Sequence, residues 1–228
     1  MKQLFFKLLS HNKNIFFWLL SFDLLVLCLH LLLGNQNHFF HLDFEQNLPT
    51  MYQSLKLILF GSTFFILGFT KSIKLDIKSF IFPLALFMTF LGLDELLQIH
   101  ENIYRIFELF DLFHPSKIVE VSMKMGYRSS LWILYYLPFI FIFVFWSGYW
   151  LRYFQSKMKN NAWILIFSSL CLLAVLLTEI FSSTGSFSET TYFWLVTLEE
   201  TAEMLLASTL VLVGSKMLNK HSLFCTQF

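Results

Sequence analysis

Charge is scarce in this chain. Asp, Glu, Lys and Arg make up only 14% of its 228 residues, against about a quarter in a soluble domain. That shortage excludes an ordinary water-solvated surface and points to lipid as the solvent. The formal net charge is +1, so there is neither a basic field for nucleic acid nor an acidic tail. Cysteine is equally sparse. Cys28, Cys171 and Cys225 are odd in number and widely spaced, and no C-x-x-C occurs, which argues against a disulfide framework and a zinc ribbon. The cysteines read as small polarizable fillers. Glycine occurs eight times, and no phosphate loop, dinucleotide fingerprint or G-x-S-x-G elbow is present. His100-Glu101 is not followed by the second His of H-E-x-x-H, and no Glu-x-x-His occurs.

What the chain has in abundance is apolar sequence, 57% of it hydrophobic, with 30 phenylalanines. A membrane-spanning helix needs about 20 mostly apolar residues. Six runs meet that length: Ile15–Leu33, Met51–Phe69, Phe80–Ile99, Leu131–Leu151, Ala162–Phe181 and Tyr192–Val213. The expectation is an all-α integral membrane bundle of six helices forming one transmembrane domain over residues 1–228. Pro83 is expected in the first turn of the third helix, and Pro138 inside the fourth. The first run follows Lys2, Lys7 and Lys13 like a signal peptide. It is long, contains Asp23 and lacks a small-residue cleavage pattern, so it is expected to remain as an anchor.

Basic residues set the expected orientation. With the N-terminus inside, eleven Lys and Arg fall in inner segments; four (Arg105, Lys117, Lys124 and Arg128) fall outside, in one long loop. Both termini are therefore expected in the cytoplasm. After the third run, Ile103, Ile106, Phe107 and Phe110 continue at helical spacing opposite Glu101, Arg105 and Glu108. This suggests a projecting or interfacial helix, which His114-Pro115 ends. The loop beyond it, to Arg128, reads as a connector long enough to serve as a lid. Tyr127, Tyr135 and Tyr136 read as an interfacial aromatic belt.

Against this background the acids stand out. Leu93-Asp94-Glu95-Leu96-Leu97-Gln98-Ile99-His100-Glu101 closes the third run, and Leu198-Glu199-Glu200-Thr201-Ala202-Glu203 lies early in the sixth. Up-and-down threading brings both groups to the outer ends of their helices, together with Glu179, His30, His38 and His41, with Lys56 one to two turns below. An Asp at the bilayer centre opposes insertion by about 2.5–3.5 kcal/mol, and the cost falls toward the interface. Such acids face the bundle interior or water. Crowded carboxylates need protons or a cation among them.

Three functions follow. The first is a divalent metal site for zinc, iron or manganese, with Asp94, His100, Glu101, Glu200 and Glu203 as ligands. Glu95 or Glu199 would be its general base, and Lys56 or Arg105 would neutralise negative charge. The substrate would be membrane-soluble, a lipid or a quinone. The second is proton or cation translocation, with Asp23 as the deeper group. The third is a structural network in which Asp94 and Glu203 pair with Lys56, Arg105 or His30; for Asp23 and His30 individually, packing is the favoured role.

The two acidic motifs resemble those of uncharacterised bacterial multi-pass proteins that carry Leu-Asp-Glu…His-Glu on one helix and Leu-Glu-Glu-x-x-Glu on the last. The resemblance covers two short stretches, and it implies a bacterial inner-membrane setting and a shared site.

Overall fold

The computed structural model describes residues 12–44, 46–70, 73–100, 102–103, 132–157, 161–184 and 187–225. Among them the long elements are all helical: α1 (Asn12–Leu29), α2 (Leu48–Gly68), α3 (Leu75–Leu97), α4 (Trp132–Lys157), α5 (Ala162–Thr184) and α6 (Glu189–Cys225). Each contains a stretch long and apolar enough to cross a membrane. The all-α, six-helix expectation holds, and the protein is a multi-pass membrane protein. Large apolar side chains such as Trp18, Leu32, Phe145 and Trp194 remain exposed on the helix surfaces. In water such a surface would drive aggregation; in lipid it is the solvated face.

The helix ends extend beyond the apolar runs, because polar residues at a membrane boundary can continue a helix whose backbone is already paired. Asn47 caps α2, its Oδ1 accepting from the Thr50 N–H at 3.1 Å, and Pro49 follows in the first turn, where a missing donor does no harm. Pro83 does not lie in a first turn as expected. The third helix begins at Leu75, so Pro83 falls inside it and removes one backbone hydrogen bond from its interior. Pro138 lies inside α4, as anticipated.

The sixth helix is the centre of the bundle. Of its most apolar window 78% is buried, against 11% for α4, and it packs on α1, α2, α3 and α5. The main core joins Phe64 and Leu67 of α2, Phe80, Leu84 and Met88 of α3, Phe154 of α4, Ile164 of α5 and Leu210 to Leu218 of α6. The second and third helices approach backbone to backbone at Gly61, where a Cβ would stand 2.9 Å from the Thr89 amide nitrogen and 3.0 Å from the Ala85 carbonyl oxygen. Small residues at such crossings let helices gain dispersion contact where lipid offers no hydrophobic drive.

One polar knot lies within the apolar body. Lys56 of α2 places its ammonium against three acceptors: Asp23 Oδ1 of α1 at 2.8 Å, the Met204 carbonyl of α6 at 3.0 Å and Ser208 Oγ at 3.3 Å. Asp23 also accepts from the Tyr52 hydroxyl at 2.7 Å and from Ser208 Oγ on its other oxygen. An ammonium has three donors, and all three are used. This agrees with the packing role favoured for Asp23. Lys56 is accordingly committed to Asp23, about 12 Å along α2 from its start.

Candidate functional site

The expected site residues lie at the end of the bundle where α1 and α3 finish and α2 and α6 begin. Asp94 is buried in the last turn of α3. In an uninterrupted helix, residues six apart stand about 120° from each other around the axis, so Asp94 and His100 would diverge. The helix is interrupted. Gln98 adopts the left-handed conformation, φ 53° and ψ 42°, and its N–H returns to the Asp94 carbonyl; residues 99 and 100 are then helical again. The reversal brings the His100 ring back, with Nδ1 3.1 Å from Asp94 Oδ2.

The other Asp94 oxygen accepts from the Tyr136 hydroxyl of α4 at 2.8 Å, and Tyr136 is also close enough to Glu95 to feel its charge. Tyr136 is therefore more than part of an interfacial belt: it is buried and holds the carboxylate. The pattern Tyr-Tyr at a span end carries no signal that would single out this one. An ionised Asp94 can only accept, and against it Nδ1 would carry the imidazole proton and Nε2 would be the ring's basic nitrogen.

A second group forms on α5 and α6. The carboxyls of Glu179 and Glu199 are hydrogen-bond partners, and Glu200 and Glu203 act on Glu199 at short range. Two carboxyls can hydrogen-bond only with a proton between them. The convergence of Glu179 on the sixth-helix acids is the one inferred from threading. All four are half-buried.

A histidine group completes this end. The π-helical turn His30–Gly34 closes α1 and buries His30, whose Nδ1 accepts from the Leu42 N–H at 3.2 Å. Nε2 stands 3.0 Å from Thr197 Oγ1, which itself donates to the Phe193 carbonyl at 2.7 Å. Both ring nitrogens are spoken for, so His30 joins α1 to α6 as a packing residue. Gly34 fits beside it because a Cβ there would meet His30 Nδ1 at 2.8 Å. His41, half-buried against His30 and Phe193, has its pKa lowered, chiefly by burial; Asp43 opposes the shift and His38 adds to it.

Among the described residues, no three His, Cys, Asp or Glu side chains converge as an ion would require. Of the proposed ligands, Asp94 and His100 come together; Glu200 and Glu203 lie with Glu199, and Glu101 falls outside the described residues. So do Arg105, the expected projecting helix beyond residue 103 and the loop to Arg128.

A family model described as a domain of unknown function (DUF8692) matches residues 38–215. The chain belongs to this family. The DUF8692 match takes in α2 to α5 and most of α6, with both acidic motifs, and leaves out α1 with Asp23 and His30. No curated protein and no solved structure matches the chain.

Proposed function

We propose that this protein performs acid–base chemistry on a membrane-soluble substrate, a lipid or a quinone, at the end of α3. His100 is the proton-transferring group and Asp94 its positioning partner. The observation that carries the proposal is the pair of bonds on Asp94: Tyr136 on one oxygen and His100 Nδ1 on the other. A buried carboxylate held in this way fixes the ring's tautomer and orientation and supports the imidazolium that forms when Nε2 takes a proton. Glu179 and Glu199, neighbouring carboxyls at the same end of the bundle, are the groups we assign to exchange protons with His100. The bias of Lys and Arg supports an orientation with both termini cytoplasmic and the site facing outward, which suits a bacterial inner membrane.

A zinc, iron or manganese centre has less support, because Asp94 has both oxygens committed to hydrogen bonds. Within such a centre Asp94 would orient His100 rather than bind the ion. Translocation has less support as well, since the buried Asp23–Lys56 pair has each ammonium donor engaged.

Diethyl pyrocarbonate, which acylates basic imidazole nitrogen, tests the proposal when its site of attack is mapped by mass spectrometry on detergent-purified protein. His100 is expected to react several-fold faster in wild type than in Asp94→Asn, and a membrane lipid extract is expected to protect it. Equal rates in the two proteins, with no protection, would remove the proposal. Metal analysis of the same samples decides the alternative: a stoichiometric ion lost in Glu200→Ala would replace acid–base chemistry by metal chemistry.

A further inference from the structure

The end of the bundle opposite the acidic group carries a pair of lysines, one on α1 and one on α6. These helices run antiparallel, and the bond between Asp23 and Ser208 fixes how they face each other. Ten residues back along α1 lead from Asp23 to Lys13, and eight forward along α6 lead from Ser208 to Lys216. The two steps cover about 15 Å and about 12 Å in the same direction, so the lysines reach one level. Each step also turns the side chain about 80° away from the seam between the helices. Because the helices run in opposite directions, both turns lead to the same side of that seam.

The contacts agree with this placement. Lys13 is exposed in the first turn of α1 and close enough for its charge to act on Lys216. Lys216 is half-buried and donates to Oδ1 of Asn161, just before α5, at 2.6 Å. That amide has its Nδ2 donors left to offer, and an ammonium with one bond made has two more. Among the described residues neither lysine forms an ion pair. Asp76, at the start of α3, is engaged by the Tyr153 hydroxyl of α4. Two like charges side by side repel, and an anion between them relieves the repulsion.

Position selects the anion. The ends of membrane-spanning helices lie at the level of the lipid headgroups. On the side that Lys13 faces, Phe17 and Leu24 continue at helical spacing and are 63% and 60% exposed, an apolar track leading from headgroup level into the bilayer. Trp163 is exposed at the start of α5 beside Asn161, as tryptophans at a membrane interface are.

We infer that Lys13 and Lys216, with the Asn161 amide, bind the phosphate of an anionic phospholipid whose acyl chain lies along Phe17 and Leu24. A zwitterionic lipid carries its own cation next to the phosphate, which opposes the lysines; a net-negative headgroup does not. The site is separate from the acid–base proposal and stands or falls without it.

The test is native mass spectrometry of the full-length protein in detergent, titrated with phosphatidylglycerol or with phosphatidylcholine of the same acyl chains. The expected result is one phosphatidylglycerol bound in preference to phosphatidylcholine. Its affinity should fall about fivefold in Lys13→Gln and about 25-fold when Lys216→Gln is added. Lys13→Arg keeps the charge and is expected to bind as wild type does. Lys13 is exposed, so its single variants test the site without disturbing the fold. The control pair Lys78→Gln with Arg152→Gln removes two cations elsewhere and is expected to leave the bound lipid in place. Equal binding of the two lipids, wild-type affinity in the Lys13 and Lys216 double variant, or the same loss in the control pair would overturn the inference. Displacement of the lipid by an equal concentration of inorganic phosphate would overturn it as well.

Discussion

Asp23 and Lys56 form an ion pair at 2.8 Å whose side chains are only 5% and 1% exposed, and this pair ties α1 to α2 and α6 inside the apolar body. Desolvating two charges opposes folding strongly, and their attraction offsets it only when the remaining donors and acceptors are satisfied. Here Tyr52, Ser208 and the Met204 carbonyl satisfy them. Removing one partner leaves the other charge buried. Asp23→Ala is therefore expected to destabilise the protein by about 3–5 kcal/mol, whereas the double change Asp23→Leu with Lys56→Met should recover most of that loss. Thermal unfolding in detergent reads both. A wild-type melting temperature in Asp23→Ala would show that the pair does not hold the helices.

The break at Gln98 makes a separate prediction. A side chain in the left-handed region opposes folding by about 1–2 kcal/mol relative to glycine, which adopts it freely. Gln98→Gly should raise stability by up to about 1 kcal/mol, and Gln98→Val, whose branched Cβ tolerates that conformation least, should lower it. Thermal unfolding of the two variants is the check. If the glycine variant were the less stable of the two, the reversal of α3 at Gln98 would be refuted.

The pH dependence at the loop after α1 follows from His41. Burial lowers its pKa below 6.5, so the unfolded chain takes up this proton more readily than the folded one. Above pH 6.5 both states are neutral and the group has no effect. As pH falls through 6.5 the unfolded state gains protons first, and stability drops until pH passes below the folded value. His30, His38, Asp43 and Phe193 surround the ring. Replacing His41 with Asn should shrink the acid-side loss of melting temperature without changing it above neutral pH. An unchanged acid limb would count against this assignment.

The six spans were legible because a bilayer demands about twenty apolar residues in a row, a requirement that composition alone reveals. The polar extensions were not, since Leu75 to Ser79 and the chain past Val213 carry Lys, Asp and Ser and still continue α3 and α6. That is why Pro83 was placed in a first turn. Depth was legible for Glu179 and Glu199, because threading alone brings their helix ends together. The link between Asp94 and His100 was not visible: regular helical spacing sets them on different faces, and no residue type at position 98 announces a left-handed turn when the residue is Gln. Tyr136 reads in the sequence only as part of an interfacial belt, and Lys56 as a partner of Asp94 or Glu203, because partner choice depends on helix rotation, which a pattern of six nearly uniform apolar runs does not encode. The third helix carries apolar residues all round its surface, so its sequence gives no preferred face.

The claim on which the functional account rests is that Asp94 holds the proton of His100 on Nδ1 and turns Nε2 into the working nitrogen. Ring-¹⁵N histidine NMR of the full-length protein, with the His100 signals assigned through His100→Gln, measures this directly. In the neutral form, wild type is predicted to show His100 protonated on Nδ1, and Asp94→Ala to shift it to the Nε2–H tautomer. A wild-type ring already protonated on Nε2, or the same tautomer in both proteins, would contradict the account.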